Sequence, residues 1–203
     1  MLRTVNDLMQ LPPCQLSSRQ QFYMTFQTQT VQPTLASLVK AFFQKSEGSW
    51  RSQRRYYTLK DGETQEVVSL LTVQFLDQGS NDLRQLAQLH ELTDETAMTC
   101  GALTSWESHY IGPSPKQIIG STVFGVEGTQ LYRDRGFSTS KPVIAQFSMR
   151  DAEIMRLRTE YSGNAFEEEI RLIGSQYRTR QTIISRAGEE QMIGQYLETR
   201  ISD

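Results

Sequence analysis

The first sustained pattern in the chain begins at Pro33. Leu35, Leu38, Val39, Phe42 and Phe43 recur at i, i+3, i+4, i+7 and i+8, which puts them on one stripe of a helix about three turns long. Thr34, Ser37 and Lys40 fall on its polar side, and Gly48 stops it. The period then changes to two. Trp50, Ser52, Arg54 and Tyr56 share one face of a strand over Trp50–Leu59. Lys60-Asp61-Gly62-Glu63 reads as a hairpin turn on its Asp-Gly dipeptide, and Glu66–Leu76 is the returning strand. A short helical insert follows, with Leu83, Leu86, Ala87 and Leu89 helically spaced. Further strands are expected at about 98–110, 117–126, 129–135, 142–149, 154–162, 165–174, 177–186 and 190–201. Gly112-Pro113, Glu127-Gly128, Arg135-Gly136, Ser162-Gly163-Asn164 and Ala187-Gly188 separate them.

About ten short strands joined in sequence by tight turns must hide their edges, and closing the sheet does so. The expected fold is all-β: a lipocalin-like, up-and-down antiparallel barrel with the N-terminal helix capping one mouth. A barrel of this size holds one small ligand. A packed two-sheet sandwich without a cavity is the alternative. Residues 1–30 keep no sustained period and read as a loose extension outside a barrel domain at 31–203. Met24 offers an alternative start, which would leave the first 23 residues outside the native protein.

Composition narrows the class. The 203 residues carry 21 Lys+Arg against 23 Asp+Glu, a net charge of −2, which argues against a nucleic-acid partner. Only 37% of the residues are hydrophobic, and glutamine is abundant, as suits sheets with one wet face or a partly polar cavity. No stretch approaches the roughly 18 apolar residues of a membrane helix. Met1–Gln10 contains Arg3, Asn6, Asp7 and Gln10 and no apolar signal core, so membrane insertion is not expected and a cytoplasmic location is. Cys14 and Cys100 make no disulfide framework, and with His90 and His109 they have no zinc spacing, so no metal site is expected.

Strand alternation nominates the chemistry. One face of 166–174 is Phe166, Glu168, Ile170 and Leu172, and the other is Glu167, Glu169, Arg171 and Ile173. Glu168 is therefore expected to point into the barrel, unless it sits solvated at the strand's mouth. Arg178, Arg180 and Thr182 share a face of the next strand, with the two arginines about 7 Å apart. Such a pair can hold two carboxylates bidentately or form a solvated stripe. Trp106, Ser108 and Tyr110 form another face, which together with Trp50 and Tyr56 either lines a slot for a flat conjugated ligand or packs as core. There is no nucleophile elbow, P-loop or dinucleotide fingerprint.

Four segments carry a resemblance. Trp50-Arg51-Ser52-Gln53-Arg54-Arg55-Tyr56-Tyr57, Trp106-Glu107-Ser108, Tyr132-Arg133-Asp134-Arg135-Gly136 and Gln176-Tyr177-Arg178-Thr179-Arg180-Gln181-Thr182 resemble the S-type (CpcS/CpeS) phycobiliprotein lyases of cyanobacteria and related plastids. The similarity runs from about Leu35 to Arg200. It implies a ten-stranded barrel that binds an open-chain tetrapyrrole, typically phycocyanobilin, without a covalent bond. The bilin is then delivered to a cysteine of an apo-phycobiliprotein subunit, phycocyanin β or an allophycocyanin chain, as a thioether. The resemblance further implies that Glu168 is the catalytic carboxylate. Arg178 and Arg180 are the paired ligand-holding arginines, and Trp50, Arg54, Trp106, Ser108 and Tyr110 contribute the pocket. The bilin is substrate, and no permanent cofactor is implied. A paralogous subunit or a second copy of the chain is a partner in some members. The location is the cyanobacterial cytosol or the plastid stroma. A binding-only carrier of a fatty acid or other anionic lipophile is the alternative that the same barrel permits. Since the nucleophile belongs to the client, Cys14 and Cys100 are expected to be inert.

Overall fold

A computed structural model describes residues 32–112 and 115–201. The expectations for residues 1–30, including Cys14 and Met24, lie outside the described residues, as does Pro113. Helix α1 spans Leu35–Ser46, and Thr34 caps it by accepting the Ser37 backbone N–H at 3.2 Å. The strands follow as β1 (Gly48–Thr58), β2 (Thr64–Asp77), β3 (Cys100–Ile111), β4 (Gln117–Glu127) and β5 (Gln130–Arg133). After these come β6 (Val143–Met149), β7 (Ile154–Tyr161), β8 (Asn164–Ile173), β9 (Tyr177–Arg186) and β10 (Glu189–Arg200). Helix α2 (Asn81–Leu89) lies between β2 and β3. Every strand pairs antiparallel with its sequence neighbours, and β1 pairs with β10, so the barrel closes. Closure leaves no ladder edge open and establishes the barrel over the sandwich.

The apolar core fills the end of the barrel that α1 covers. Val39, Phe42 and Phe43 pack there with Leu71, Cys100, Val126, Leu131, Phe147 and Met155. The register then sets a polar zone farther along the interior, where Ser52, Ser69, Ser108, Thr122, Glu168, Arg178, Thr182 and Glu198 are buried. The helix is latched at its C-terminal end. The last carbonyls of a helix have no partner within it, and here Trp50 Nε1 donates to Ser46 O at 2.9 Å while Arg200 Nη2 donates to Lys45 O at 2.6 Å. Arg200 also reaches Glu47 O. Gly48, at φ +118°, lets that guanidinium through, because a Cβ there would stand 2.6 Å from Arg200 Nη1.

Two expectations shift in detail. Leu89 is exposed rather than part of the buried stripe of α2, which is Leu83, Leu86 and Ala87. This helix packs outside the barrel on β3 and β4, over Gly101 and Gly125, which face each other across the ladder. Strand β5 is four residues long rather than seven, and a loop continues the wall from residue 134 to 142. Gly120 lies within β4 opposite Trp106, and a Cβ there would meet the indole at 2.6 Å.

Candidate functional site

A cavity of about 550 Å³ extends from Phe42 and Phe43 of α1 through the polar zone, within the roughly 300–1,000 Å³ usual for small-molecule sites. Aromatic side chains form much of its wall: Tyr56, Trp106, Tyr110, Phe124 and Phe137. Phe137 comes from the loop after β5 and stacks on Phe166 at 5.6 Å, and Tyr161 stacks on the same ring at 4.7 Å.

Five arginines line this cavity: Arg54, Arg133, Arg135, Arg178 and Arg180. Cross-strand register explains three of them. Arg54 is level with Tyr196, and Tyr196 with Arg180, in one row across β1, β10 and β9. The adjacent row is Ser52, Glu198 and Arg178. Arg178 and Arg180 face inward together, as alternation requires. Neither is free: Arg178 is ion-paired with Glu198, and Arg180 with Glu168. Glu168 is opposite Thr182, so it meets Arg180 diagonally across the β8–β9 ladder, a distance long side chains span. The expected pair of open arginines is therefore two buried ion pairs. Glu168 is 5% exposed, is paired with Arg180 and is not among the residues that line the cavity; the carboxylate on the wall is Glu198.

Hydrogen bonds tie the pairs to the first strand. Ser52 Oγ donates to Glu198 Oε1 at 3.0 Å and accepts from Arg54 Nε at 3.1 Å. The Arg54 guanidinium lies 5.3 Å from the Tyr196 ring, with Arg180 at the same distance. Tyr196 donates its hydroxyl to Tyr56 at 3.2 Å. Ser69 and Ser108 share a 2.7 Å hydrogen bond. Burial works against the Glu198 charge, yet Arg178 opposes it, with help from Arg180 and Arg54, and the carboxyl lies below its ordinary pKa. Burial likewise disfavours the Arg180 cation, and Glu168, Tyr196 and Glu198 outweigh that effect, so its pKa is raised. Burial raises the Tyr196 hydroxyl, which stays protonated.

Of the residues singled out from sequence, Arg54, Trp106, Ser108, Tyr110, Arg178 and Arg180 line the cavity. Trp50 is displaced from that set. It is 1% exposed, below the cavity wall, with the Arg178 guanidinium 4.8 Å and that of Arg200 4.2 Å from its ring. Its indole anchors α1 rather than facing ligand space. Cys100 is fully buried in the core, and burial pushes its thiol up to about 11. Three charged lining residues were absent from the sequence-based set, Glu198, Arg133 and Arg135. Parity within β10 groups Tyr196, Glu198 and Arg200, but the opposite face carries Leu197, so no hydrophobic contrast chose between the faces. Parity in β5 groups Arg133 with Leu131, a signal of only two residues.

Fold and cavity together define a closed antiparallel β-barrel built around an internal, arginine-lined binding site. The sequence profile of the CpeS-like protein family matches residues 38–201, and the chain belongs to that family. It is 56% identical over 81% of its length to a protein of Nostoc sp. named "Putative phycocyanobilin lyase CpcS 2", covering 92% of that protein. A protein of Picosynechococcus sp. named "Putative chromophore lyase CpcV" is 50% identical over 83% of this chain and 84% of its own. The structure of the S-type phycobiliprotein lyase CpeS from Guillardia theta superimposes with a TM-score of 0.65 over 84% of this chain and 98% of that one, at 22% identity, and shares the fold. The family is thus one of chromophore lyases. No helix among the described residues is long and apolar enough to cross a membrane.

Proposed function

We propose that this chain binds an open-chain tetrapyrrole, phycocyanobilin, as a non-covalent substrate and attaches it by a thioether bond to a cysteine of phycocyanin β or an allophycocyanin subunit. One observation carries the reading: five arginines line an aromatic-walled cavity and hold only three carboxylates between them, Glu168, Glu198 and Asp134, a surplus of two positive charges. A bilin brings two propionates and a long π-system. The propionates neutralise the surplus through charge-assisted hydrogen bonds, and the aromatic wall holds the rings in one geometry.

In this reading, entry of the bilin draws Arg180 toward a propionate and uncovers Glu168. The carboxylate then accepts pyrrole N–H bonds and favours the protonated tetrapyrrole, which makes the ring-A ethylidene more electrophilic. The client's sulfur bonds to the ethylidene carbon, the π pair moves into ring A, and that ring takes a proton. The net change is addition of S–H across the double bond, and nothing leaves. The chain keeps no cofactor of its own, and the reaction takes place in the cytosol or stroma where the client subunits fold.

The test mixes the chain, phycocyanobilin and an apo-subunit, with and without a paralogous lyase subunit, and reads zinc-induced fluorescence of the denatured client. Covalent fluorescence at the client's mass, lost when its acceptor cysteine is replaced, is the expected result. A chain that takes up palmitate but neither binds nor transfers bilin is instead a carrier of anionic lipophiles.

A further inference from the structure

Arg133 differs from the other arginines of the cavity. Arg178, Arg180 and Arg135 each have a carboxylate, and Arg54 donates to Ser52. The Arg133 side chain has no ion pair and no hydrogen bond among the described residues, and its Nε is fully buried without a partner. The nearby carboxylates are engaged elsewhere. Glu168 holds Arg180, and Asp134 Oδ1 accepts from Thr122 Oγ1 at 2.5 Å and Val123 N at 3.2 Å, while Oδ2 lies 3.5 Å from Arg135. What holds the guanidinium is aromatic: it lies 4.9 Å from the Phe124 ring and 5.6 Å from Phe137. Its backbone carbonyl is pinned from outside the barrel, 2.9 Å from His90 Nε2 at the end of α2. Arg133 is half-buried, and a cation drawn that far from water without a counter-charge is costly. Burial and Arg180 both press against its charge, and Glu168 relieves that only in part.

We infer that Arg133 is an anion anchor of the cavity, a preformed donor fork for a carboxylate substituent of the ligand. The inference rests on the bilin reading for the identity of that ligand, and it assigns one propionate to Arg133 between Phe124 and Phe137. The paired arginines have carboxylates to displace before they bind an anion. Arg133 has none, so it is the first full-strength contact a propionate meets.

The test compares wild type, Arg133→Met and Arg133→Lys with two ligand pairs. One pair is phycocyanobilin and its dimethyl ester. The other is 1-anilinonaphthalene-8-sulfonate and the uncharged N-phenyl-1-naphthylamine. Arg133→Met is expected to weaken the free acid and the sulfonate about 10–150-fold, the scale of one charge-assisted hydrogen bond. It should leave the ester and the neutral amine within about threefold. Arg133→Lys recovers part of the loss, because it restores the charge without the fork. The ligand-free melting temperature of Arg133→Met should not fall below that of wild type, since an unpaired, half-buried charge is removed. Equal weakening of charged and neutral ligands, or a large drop in melting temperature, makes Arg133 a structural residue and overturns the inference. So does a wild-type protein that prefers neither anion over its neutral partner. If wild type ignores both bilins but prefers the sulfonate in an Arg133-dependent way, the anchor stands and the bilin reading falls.

Discussion

Glu168 stands between Glu167 and Glu169, and only the middle carboxylate is buried. Its neighbours point outward into ion pairs with Arg158 and Arg156. Exposed pairs of this kind contribute about 0–1 kcal/mol, whereas Glu168 is held at the cost of desolvation against Arg180. The transfer role proposed for it is therefore separable from its neighbours. Glu168→Gln keeps the shape and loses the charge, so bilin transfer should slow by about 10²–10⁴, the range for a positioned acid or base. The long-wavelength band of the bound bilin should shift toward the neutral form. Affinity should change far less, because the released Arg180 can still take a propionate. Glu167→Gln and Glu169→Gln should transfer at the wild-type rate. Stopped-flow absorbance separates the two effects, and a slow Glu167→Gln would remove Glu168 from its assigned place.

Helix α2 is docked by what β3 and β4 lack. Helix α2 rests Leu83 and Leu86 against Gly101 and Gly125, and the two positions differ in what a methyl group would meet. At Gly101 a Cβ would stand 2.0 Å from the Phe124 carbonyl oxygen, a backbone atom of the ladder that cannot move alone. At Gly125 it would meet the Met98 sulfur at 2.2 Å and Leu86 Cδ2 at 3.0 Å, ends of flexible side chains. Gly101→Ala should therefore destabilise the barrel by at least the roughly 1–3 kcal/mol of an overpacked core, and Gly125→Ala by less. Urea unfolding of the two variants checks the order, and the reverse order would mean that α2, not the β3–β4 ladder, absorbs the strain. At the other end, Trp50 and Arg200 bond the C-terminus of α1. This is why a tryptophan on the first strand reads as a pocket residue from alternation yet serves the helix.

Across the whole molecule, the cavity is bought with stability: the interior holds two ion pairs where a packed barrel would hold hydrocarbon. Breaking such a pair from one side leaves an uncompensated charge and costs about 3–5 kcal/mol, while replacing both partners by apolar groups is often neutral. Arg178→Met and Glu198→Met should each lower the unfolding free energy by that amount, and the double variant should recover most of it. Equal losses in singles and double would mean that Arg178 acts through Trp50 rather than Glu198. The pair also sets a pH limb. Glu198 has a folded-state pKa below its ordinary value of 4.5, so its contribution is complete above that value. It is lost as pH falls through the lower folded-state value. Denaturant titrations at descending pH should show this loss in wild type and a flatter acid limb in Glu198→Gln.

The ten strands, the first helix, the turns and the inward parity of Glu168, Arg178 and Arg180 were legible in the sequence. Each is a local consequence of side-chain period and turn chemistry, and closure follows from the need to hide edges. The family motifs were legible for the same reason, as contiguous residues on single strands. What meets what across the barrel was not. Glu198 joins Arg178 because β10 closes on β1 and β9 at one particular register. A strand with tyrosine and glutamate on one face and leucine on the other does not announce which face is buried. Arg133 comes from a four-residue strand too short to show a period, and its isolation is a property of carboxylates on β8 and just after β5 that already have partners. Alternation along one strand decides only inside or outside. Charge balance within the cavity is decided by pairings between residues far apart in the chain, and only the closed tertiary structure brings those residues together.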